Sequence, residues 1–167
     1  DAAIRTQTAE ATNSGVTAVS AWSYLWLHST LAEVLNSLGI PAETRPARAV
    51  SQPIPEPFLC FLRQAEGDLV VDGVKVCGSA QRRREGAVLQ HGSVLLARST
   101  CAPELPGLHE LTHHPIDRDS LLQRWVEHLA RRGSFDFCPG SLSDREHERA
   151  ADWVGERYGN RGWIGLR

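Results

Sequence analysis

The chain contains no methionine. It begins at Asp1, whereas a primary translation product normally starts with Met, so the sequence reads as a fragment or a processed piece. No apolar run approaches the ~20 residues that a membrane span needs. The first residues, DAAIRTQTAEATNSG, have neither the basic start nor the apolar stretch of a secretory signal. Neither sign of charge dominates, and a net charge of −2 gives no reason to expect nucleic acid or an anionic membrane as the main partner. There are four cysteines, Cys60, Cys77, Cys101 and Cys138, widely separated and without a C-x-x-C pair. This spacing argues against the usual zinc site and against a disulfide framework. Free thiols in a reducing cytoplasm are the expectation. No internal repeat or low-complexity tract occurs. What remains, 167 residues at 41% hydrophobic and 23% charged, suits one soluble domain with a real core.

Residues 1–18, rich in Ala and Thr, read as a frayed end or the remnant of a strand whose partners are missing. Val19, Trp22, Trp26, Leu27, Leu31, Val34, Leu35 and Leu38 recur at three- and four-residue steps, which predicts a helix over 19–38 with one broad apolar face. Gly39 caps it in the left-handed conformation and Pro41 blocks continuation. Five prolines between Pro41 and Pro57 predict a surface connection without regular structure. Phe58–Leu62 reads as a short strand. Asp117 predicts the cap of a helix running to Arg132, with Leu121, Leu122, Trp125, Val126 and Leu129 inward and Arg131 and Arg132 at its negative end. Ser143 with Glu146 is a capping box for a last helix through Tyr158.

The most informative stretch runs from Asp68 to Leu96, DLVVDGVKVCGSAQRRREGAVLQHGSVLL. Asp72-Gly73 between β-branched runs predicts a tight hairpin, because both turn residues must take positive φ. Gly78-Ser79-Ala80 reads as a small-residue loop whose backbone can approach a ligand closely. Ala87–Ala97 reads as a third strand. One lysine, Lys75, sits in the middle of the apolar second strand. Most strand lysines face solvent, but burying one costs several kcal/mol unless its charge is held. A lysine aimed into a cleft beside a glycine-bearing loop is therefore a candidate for binding or catalysis. Alternation places Lys75 and Cys77 on one face and Val74 and Val76 on the other.

The order of hydrophobic strand, Asp-Gly, Lys75-Val76, Gly78-Ser79-Ala80-Gln81-Arg82-Arg83 and Leu89-Gln90-His91-Gly92-Ser93 through Leu96 resembles the core of the lipoate–protein ligase and octanoyltransferase family, which shares a fold with biotin–protein ligases. The resemblance implies an α/β (α+β) chain. Its antiparallel sheet with packed helices would correspond to the C-terminal part of the class II synthetase-like biotin/lipoate ligase fold. On this reading residues 1–167 form a single partial catalytic domain: a frayed segment (1–18), a helix-plus-sheet core (19–117) and C-terminal helices (118–167). In the family a preceding segment bearing Arg-Arg, Gly-Gly and His completes the acyl and nucleotide pocket. Nothing like it stands before Lys75, so about half of the active site is expected to lie outside this chain.

The resemblance further implies attachment of a lipoyl or octanoyl group to a lysine of an acceptor domain. Lys75 would hold the carboxyl end of the acyl group and stabilise charge growing on its carbonyl oxygen. Gly78, Ser79, Ala80 and Gln81 would shape the carboxyl or phosphate pocket, and His91 and Gly92 would position substrate. A ligase would use ATP and Mg with lipoate. A transferase would take octanoate from acyl carrier protein through a cysteine thioester, for which Cys60, in a Cys-Phe pair upstream of the Asp-Leu-Val-Val strand, is the candidate nucleophile. Cys77 reads as a structural substitution, since the family usually has another small residue there. Arg82 and Arg83, with Arg84, read as a solvated edge or as a basic rim for an acidic partner. The acceptors would be lipoyl domains of dehydrogenase complexes or the glycine cleavage H protein, in the cytoplasm. A non-catalytic accessory half, pairing with a separately encoded partner, is the non-enzyme alternative. The string His109-Glu110-x-x-His113 spells a zinc-protease motif, but Pro103, Pro106 and Pro115 leave no room for a helix of useful length, and no third ligand follows. No metal site is expected.

Overall fold

The computed structural model describes residues 3–5, 16–46, 57, 59–84, 87–134 and 136–165. In chain order these form β1 (Ala3–Arg5), α1 (Val16–Ser37), β2 (Ala42–Thr44), β3 (Leu69–Val71), β4 (Val74–Arg84), β5 (Ala87–Val94), α2 (Leu108–Thr112), α3 (Arg118–Gly133), β6 (Cys138–Gly140), α4 (Asp144–Trp153), a π-helical turn (Val154–Tyr158) and α5 (Arg161–Ile164). They divide into two compact units: Thr8–Phe135, and Asp1–Gln7 with Asp136–Arg167. In the smaller unit β1 pairs antiparallel with β6. The predicted capping box opens α4, where Ser143 Oγ accepts from Glu146 N and Glu146 Oε2 accepts from Ser143 N.

The larger unit is an antiparallel sheet of order β2-β3-β4-β5 with helices packed against it, the mixed architecture that the sequence predicts. Its core joins Leu31, Val34 and Leu35 of α1 to Leu69, Val71, Val76 and Cys77 of the sheet, with Leu108 and Leu121 from α2 and α3. Asp117 caps α3 by accepting from Ser120 N, and Trp125 Nε1 donates to Thr30 Oγ1 at 3.1 Å, tying α3 to α1. Leu122, expected inward, is 46% exposed: it lies one residue past Leu121 and so turns about 100° off the buried stripe. Asp72 and Gly73 have φ of +50° and +75°, the primed turn that matches the twist of the flanking strands.

Four local expectations fail. Ala42–Thr44, inside the proline-rich connection, is a strand: Ala42 is buried and pairs with Val71, and Asn36 Nδ2 donates to both Ala32 O and Ala42 O, joining the end of α1 to β2. Phe58–Leu62 is not a strand over its described residues; Leu59 to Leu62 close a turn, with Leu62 N donating to Leu59 O and Arg63 N to Cys60 O. Ala87–Ala97 stops earlier, because β5 ends at Val94. Gly78-Ser79-Ala80 is not a loop. It lies inside β4, paired residue for residue with Ser93, Gly92 and His91 of β5. Small residues are needed there for close approach within the sheet rather than for a turn.

Candidate functional site

Lys75 pairs with Val70 while Cys77 pairs with Leu69, so β4 carries an extra residue opposite the Leu69/Val70 step. Such a bulge re-aims side chains. It breaks the expected alternation, and Val76 and Cys77 are both buried. The Lys75 side chain, 11% exposed, lies back against Asp68, 2% exposed, with Nζ 2.9 Å from Oδ2. Nζ also donates to Arg63 O at 3.2 Å and stands 5.4 Å from the centre of the Phe61 ring. Gly78 makes this path possible. A Cβ there would stand 2.5 Å from Lys75 Cε and 2.8 Å from Nζ.

Asp68 is held from two sides. Its Oδ1 accepts from Tyr24 Oη at 3.1 Å and its Oδ2 from Ala65 N at 2.7 Å. Burial first, and then the Asp68 charge, push the Tyr24 phenol up to about 12. Beside it, His28 is 2% exposed, its ring 4.5 Å from that of Tyr24. His28 Nδ1 lies 2.6 Å from Gly67 O. A carbonyl oxygen only accepts, so Nδ1 carries the proton and Nε2 is the acceptor. The Ser79 hydroxyl donates to that Nε2 at 2.9 Å. Burial holds His28 below the usual imidazole range, consistent with a neutral ring. Ser79 Oγ accepts from Gln90 Nε2, and Gln90 Oε1 from Gln81 Nε2. A polar line thus runs from α1 under β4 to β5. Gly92 faces Ser79, and a Cβ there would meet Gly78 O at 2.5 Å.

Lys75 lines a cleft of about 230 Å³ whose other walls include Phe61, Leu62, Leu105 and Pro106, with Glu104 at the rim. Cys60 is exposed on the turn that carries Phe61. Cys77 is buried near His28, and burial pushes its thiol up to about 12, which leaves it a poor nucleophile. Ala80, His91 and Arg82 are exposed along the β4–β5 hairpin and are not among the residues that line the cleft. The side chains of Arg83 and Arg84 lie outside the described residues. The sheet uses the backbone of 78–80 in pairing with β5, so the open phosphate cradle expected from a loop is not formed. Among the described residues no group of three or more His, Cys, Asp or Glu could hold a metal ion, so they give Mg no carboxylate cluster. Glu110 is a cap: its Oε2 accepts from Gly107 N and Arg98 N, and the Gly107 hydrogen bond chiefly lowers its pKa. His113 is the left-handed residue that ends the five-residue α2.

Tyr24, His28 and Asp68 are the site residues that sequence reasoning missed. A signal existed, because Tyr24 and His28 continue the Leu31–Leu35 stripe backwards at helical spacing, and Asp68 opens the informative stretch.

A profile of the lipoyl protein ligase A/B catalytic domain matches residues 12–102, a span that takes in Tyr24, His28, Cys60, Asp68, Lys75 and the whole β4–β5 hairpin. Among curated proteins, octanoyltransferase LipM of Symbiobacterium thermophilum is 32% identical over 157 residues, covering 77% of this chain and 56% of the relative. The LipM of Moorella thermoacetica is 28% identical over 165 residues, covering 81% of the chain and 60% of the relative. Solved structures share the fold. A T. acidophilum protein with bound lipoic acid matches at TM-score 0.66 and 16% identity over 98% of this chain and 63% of its own. Lipoate-protein ligase A bound with ATP matches at 0.64 and 15%, over 96% and 62%. A chain from a structural analysis of a bi-partite lipoate protein ligase and its E2 lipoyl domain from Thermoplasma acidophilum matches at 0.58 and 13%, over 96% and 60%. The chain therefore spans less than two thirds of the length of these relatives. Matched over more than half its own length by that profile, it belongs to the lipoyl protein ligase A/B catalytic domain family.

Proposed function

We propose that the protein bearing this chain transfers an octanoyl or lipoyl group to a lysine of an acceptor domain, with Lys75 polarising the acyl carbonyl. One observation carries the reading. The Lys75 ammonium has three donors; Asp68 and Arg63 O take two of them, and the residue lines a cleft whose walls include Phe61, Leu62, Leu105 and Pro106. A fixed cation with one donor to spare suits an oxygen on which charge develops during acyl transfer.

The relatives named octanoyltransferase and the exposed Cys60 favour a thioester route. The Cys60 thiolate attacks the octanoyl thioester of acyl carrier protein, forms its own thioester and releases the carrier thiol. The acceptor lysine amine then attacks that carbonyl; the C–N bond forms, the C–S bond breaks, and the amine's proton leaves with the Cys60 sulfur or to solvent. Lys75 stabilises the oxyanion in both halves. His91 and Gly92 would serve positioning, and Arg82 and Arg83 would form a basic rim for an acidic lipoyl domain of a dehydrogenase complex or of the glycine cleavage H protein. The free thiols suit a cytoplasmic setting. ATP-dependent activation of lipoate is the second reading, supported by fold likeness to an ATP-bound ligase.

The test uses the full-length protein with a lipoyl domain. ATP-independent transfer from octanoyl carrier protein, abolished by Cys60→Ala and reduced at least about a hundredfold by Lys75→Ala, is the expected result. Transfer of free lipoate that requires ATP and survives Cys60→Ala would replace the thioester route with the ligase route. Retention of full activity by Lys75→Ala would overturn the assignment of Lys75.

A further inference from the structure

We propose that Asp68 keeps Lys75 from becoming an acyl acceptor in its own active site. The inference rests on the acyl-transfer reading above and adds a guarding role to Asp68, which in that mechanism only helps to fix the cation. An amine beside an activated acyl carbonyl has a competing reaction open to it. Its lone pair attacks the carbonyl carbon, a C–N bond forms, the C–S bond breaks, and the thiol departs with the amine's proton. The product, an amide on Lys75, would remove the cation that the reaction needs.

The structure shows how that attack is blocked. Nζ meets Asp68 Oδ2 at 2.9 Å and Arg63 O at 3.2 Å. Both partners are acceptors, and an ammonium that gives each of them a proton has every electron pair of its nitrogen in a bond and none with which to attack a carbonyl. The carboxylate is itself fixed by Tyr24 Oη and Ala65 N. Gly78 leaves the room in which the ammonium lies against it. A buried ion pair is a poor way to gain stability compared with apolar packing, which points to a reason other than holding the fold together. The composition is consistent with this. Lys75 is the only lysine among the chain's 18 Lys and Arg residues, and the guanidinium of the others stays charged and does not compete as an acyl acceptor. The chain's single ε-amine is thus the one held by a carboxylate.

The test reads amine reactivity at Lys75 directly. Full-length protein is exposed briefly to the succinimidyl ester of octanoic acid, which acylates uncharged amines without catalysis, and octanoylation at Lys75 is quantified by peptide mass spectrometry. Asp68→Asn is expected to raise the Lys75 adduct at least about tenfold over the parent protein, because the carboxylate that holds the nitrogen at 2.9 Å is gone. Asp68→Glu is expected to restore protection. A folded Asp68→Asn protein whose Lys75 adduct stays within about twofold of the parent overturns the proposal. Where Asp68→Asn does not fold, Gly78→Ala drives the lysine away from the carboxylate, its added Cβ standing 2.8 Å from Nζ, and should raise the adduct about threefold; no rise overturns the proposal equally. Octanoyl transfer to a lipoyl domain, measured on the same parent preparation, separates the two failures. Absent transfer refutes the enzymatic reading, whereas normal transfer with no rise of the Lys75 adduct in the variant refutes only the role of Asp68.

Discussion

Gly78→Ala separates the lysine's position from the strength of the sheet. An added Cβ would lie 2.5 Å from Lys75 Cε, 2.8 Å from Nζ and 3.3 Å from Asp68 Oδ1. Carbon atoms in contact prefer roughly 3.5–4.0 Å, so Cε must retreat by about 1 Å or more. The hydrogen bonds of Nζ to Asp68 and Arg63, at 2.9 and 3.2 Å, already have ordinary lengths, and a shift of that size breaks at least one of them. The backbone of Gly78 is not in the left-handed region, so alanine fits the strand conformation and the lysine absorbs the clash. Overpacking costs about 1–3 kcal/mol. A flexible side chain that can swing aside puts Gly78→Ala near the low end, at about 1 kcal/mol. A reacting or stabilising group misplaced by about 1 Å can lose about a hundredfold in rate. The expected result is therefore a small drop in denaturation midpoint with a roughly hundredfold loss of kcat/KM for octanoyl transfer. Gly92→Ala is the control. Its Cβ would meet Gly78 O at 2.5 Å and Ser79 Cα at 3.0 Å, backbone atoms that cannot swing away, so stability should fall further than in Gly78→Ala. Full transfer activity in a normally stable Gly78→Ala protein would refute the reasoning, as would activity in the two variants that simply follows their stability.

Brief alkylation of the native protein at pH 8 should label Cys60, Cys101 and Cys138, which are exposed, and spare Cys77, whose thiol burial pushes up to about 12; mass spectrometry showing Cys77 labelled at the rate of Cys101 would contradict the buried assignment. His28 should make the fold acid-sensitive. Burial holds its folded pKa below the unfolded value of about 6.5, so the unfolded chain binds the extra proton and stability falls as pH drops below that value, by at most about 1.4 kcal/mol per pH unit. His28→Gln should flatten this slope in denaturation curves between pH 7.5 and 5.5, and an unchanged slope would assign the acid sensitivity elsewhere. Glu110→Gln should lower the melting temperature through the lost cap at Gly107 N and Arg98 N while leaving octanoyl transfer intact, and metal chelators should leave the transfer intact as well.

How far the sequence could be read followed how local the determinants are. The Asp72-Gly73 turn, the Asp117 and Ser143 caps and the Leu31-Val34-Leu35 part of the α1 stripe each depend on residues within a turn or two of one another, and each stands as expected; Leu38, expected on that stripe, is exposed, and the side chains of Val19 and Trp22 lie outside the described residues. Ala42–Thr44 depends instead on a partner, β3, more than twenty residues away, and proline density around it pointed the other way. The Gly-Ser-Ala segment shows why small residues are ambiguous. The same absence of side chain that lets a loop approach a phosphate also lets a strand admit a neighbour's side chain, and here the neighbour is Lys75 from three residues earlier. Periodicity could not choose between these, because the choice depends on the one-residue bulge opposite Leu69/Val70. Without the bulge, strict alternation would carry Lys75 and Cys77 to a common environment. With it, Cys77 joins the buried side under His28, while the lysine turns to Asp68 and the cleft. Lys75 could be nominated from its apolar neighbours together with the Gly78-Ser79-Ala80 run that follows it, but its counter-charge could not be, since Asp68 is seven residues away across the hairpin and its second support, Tyr24, lies on another element altogether.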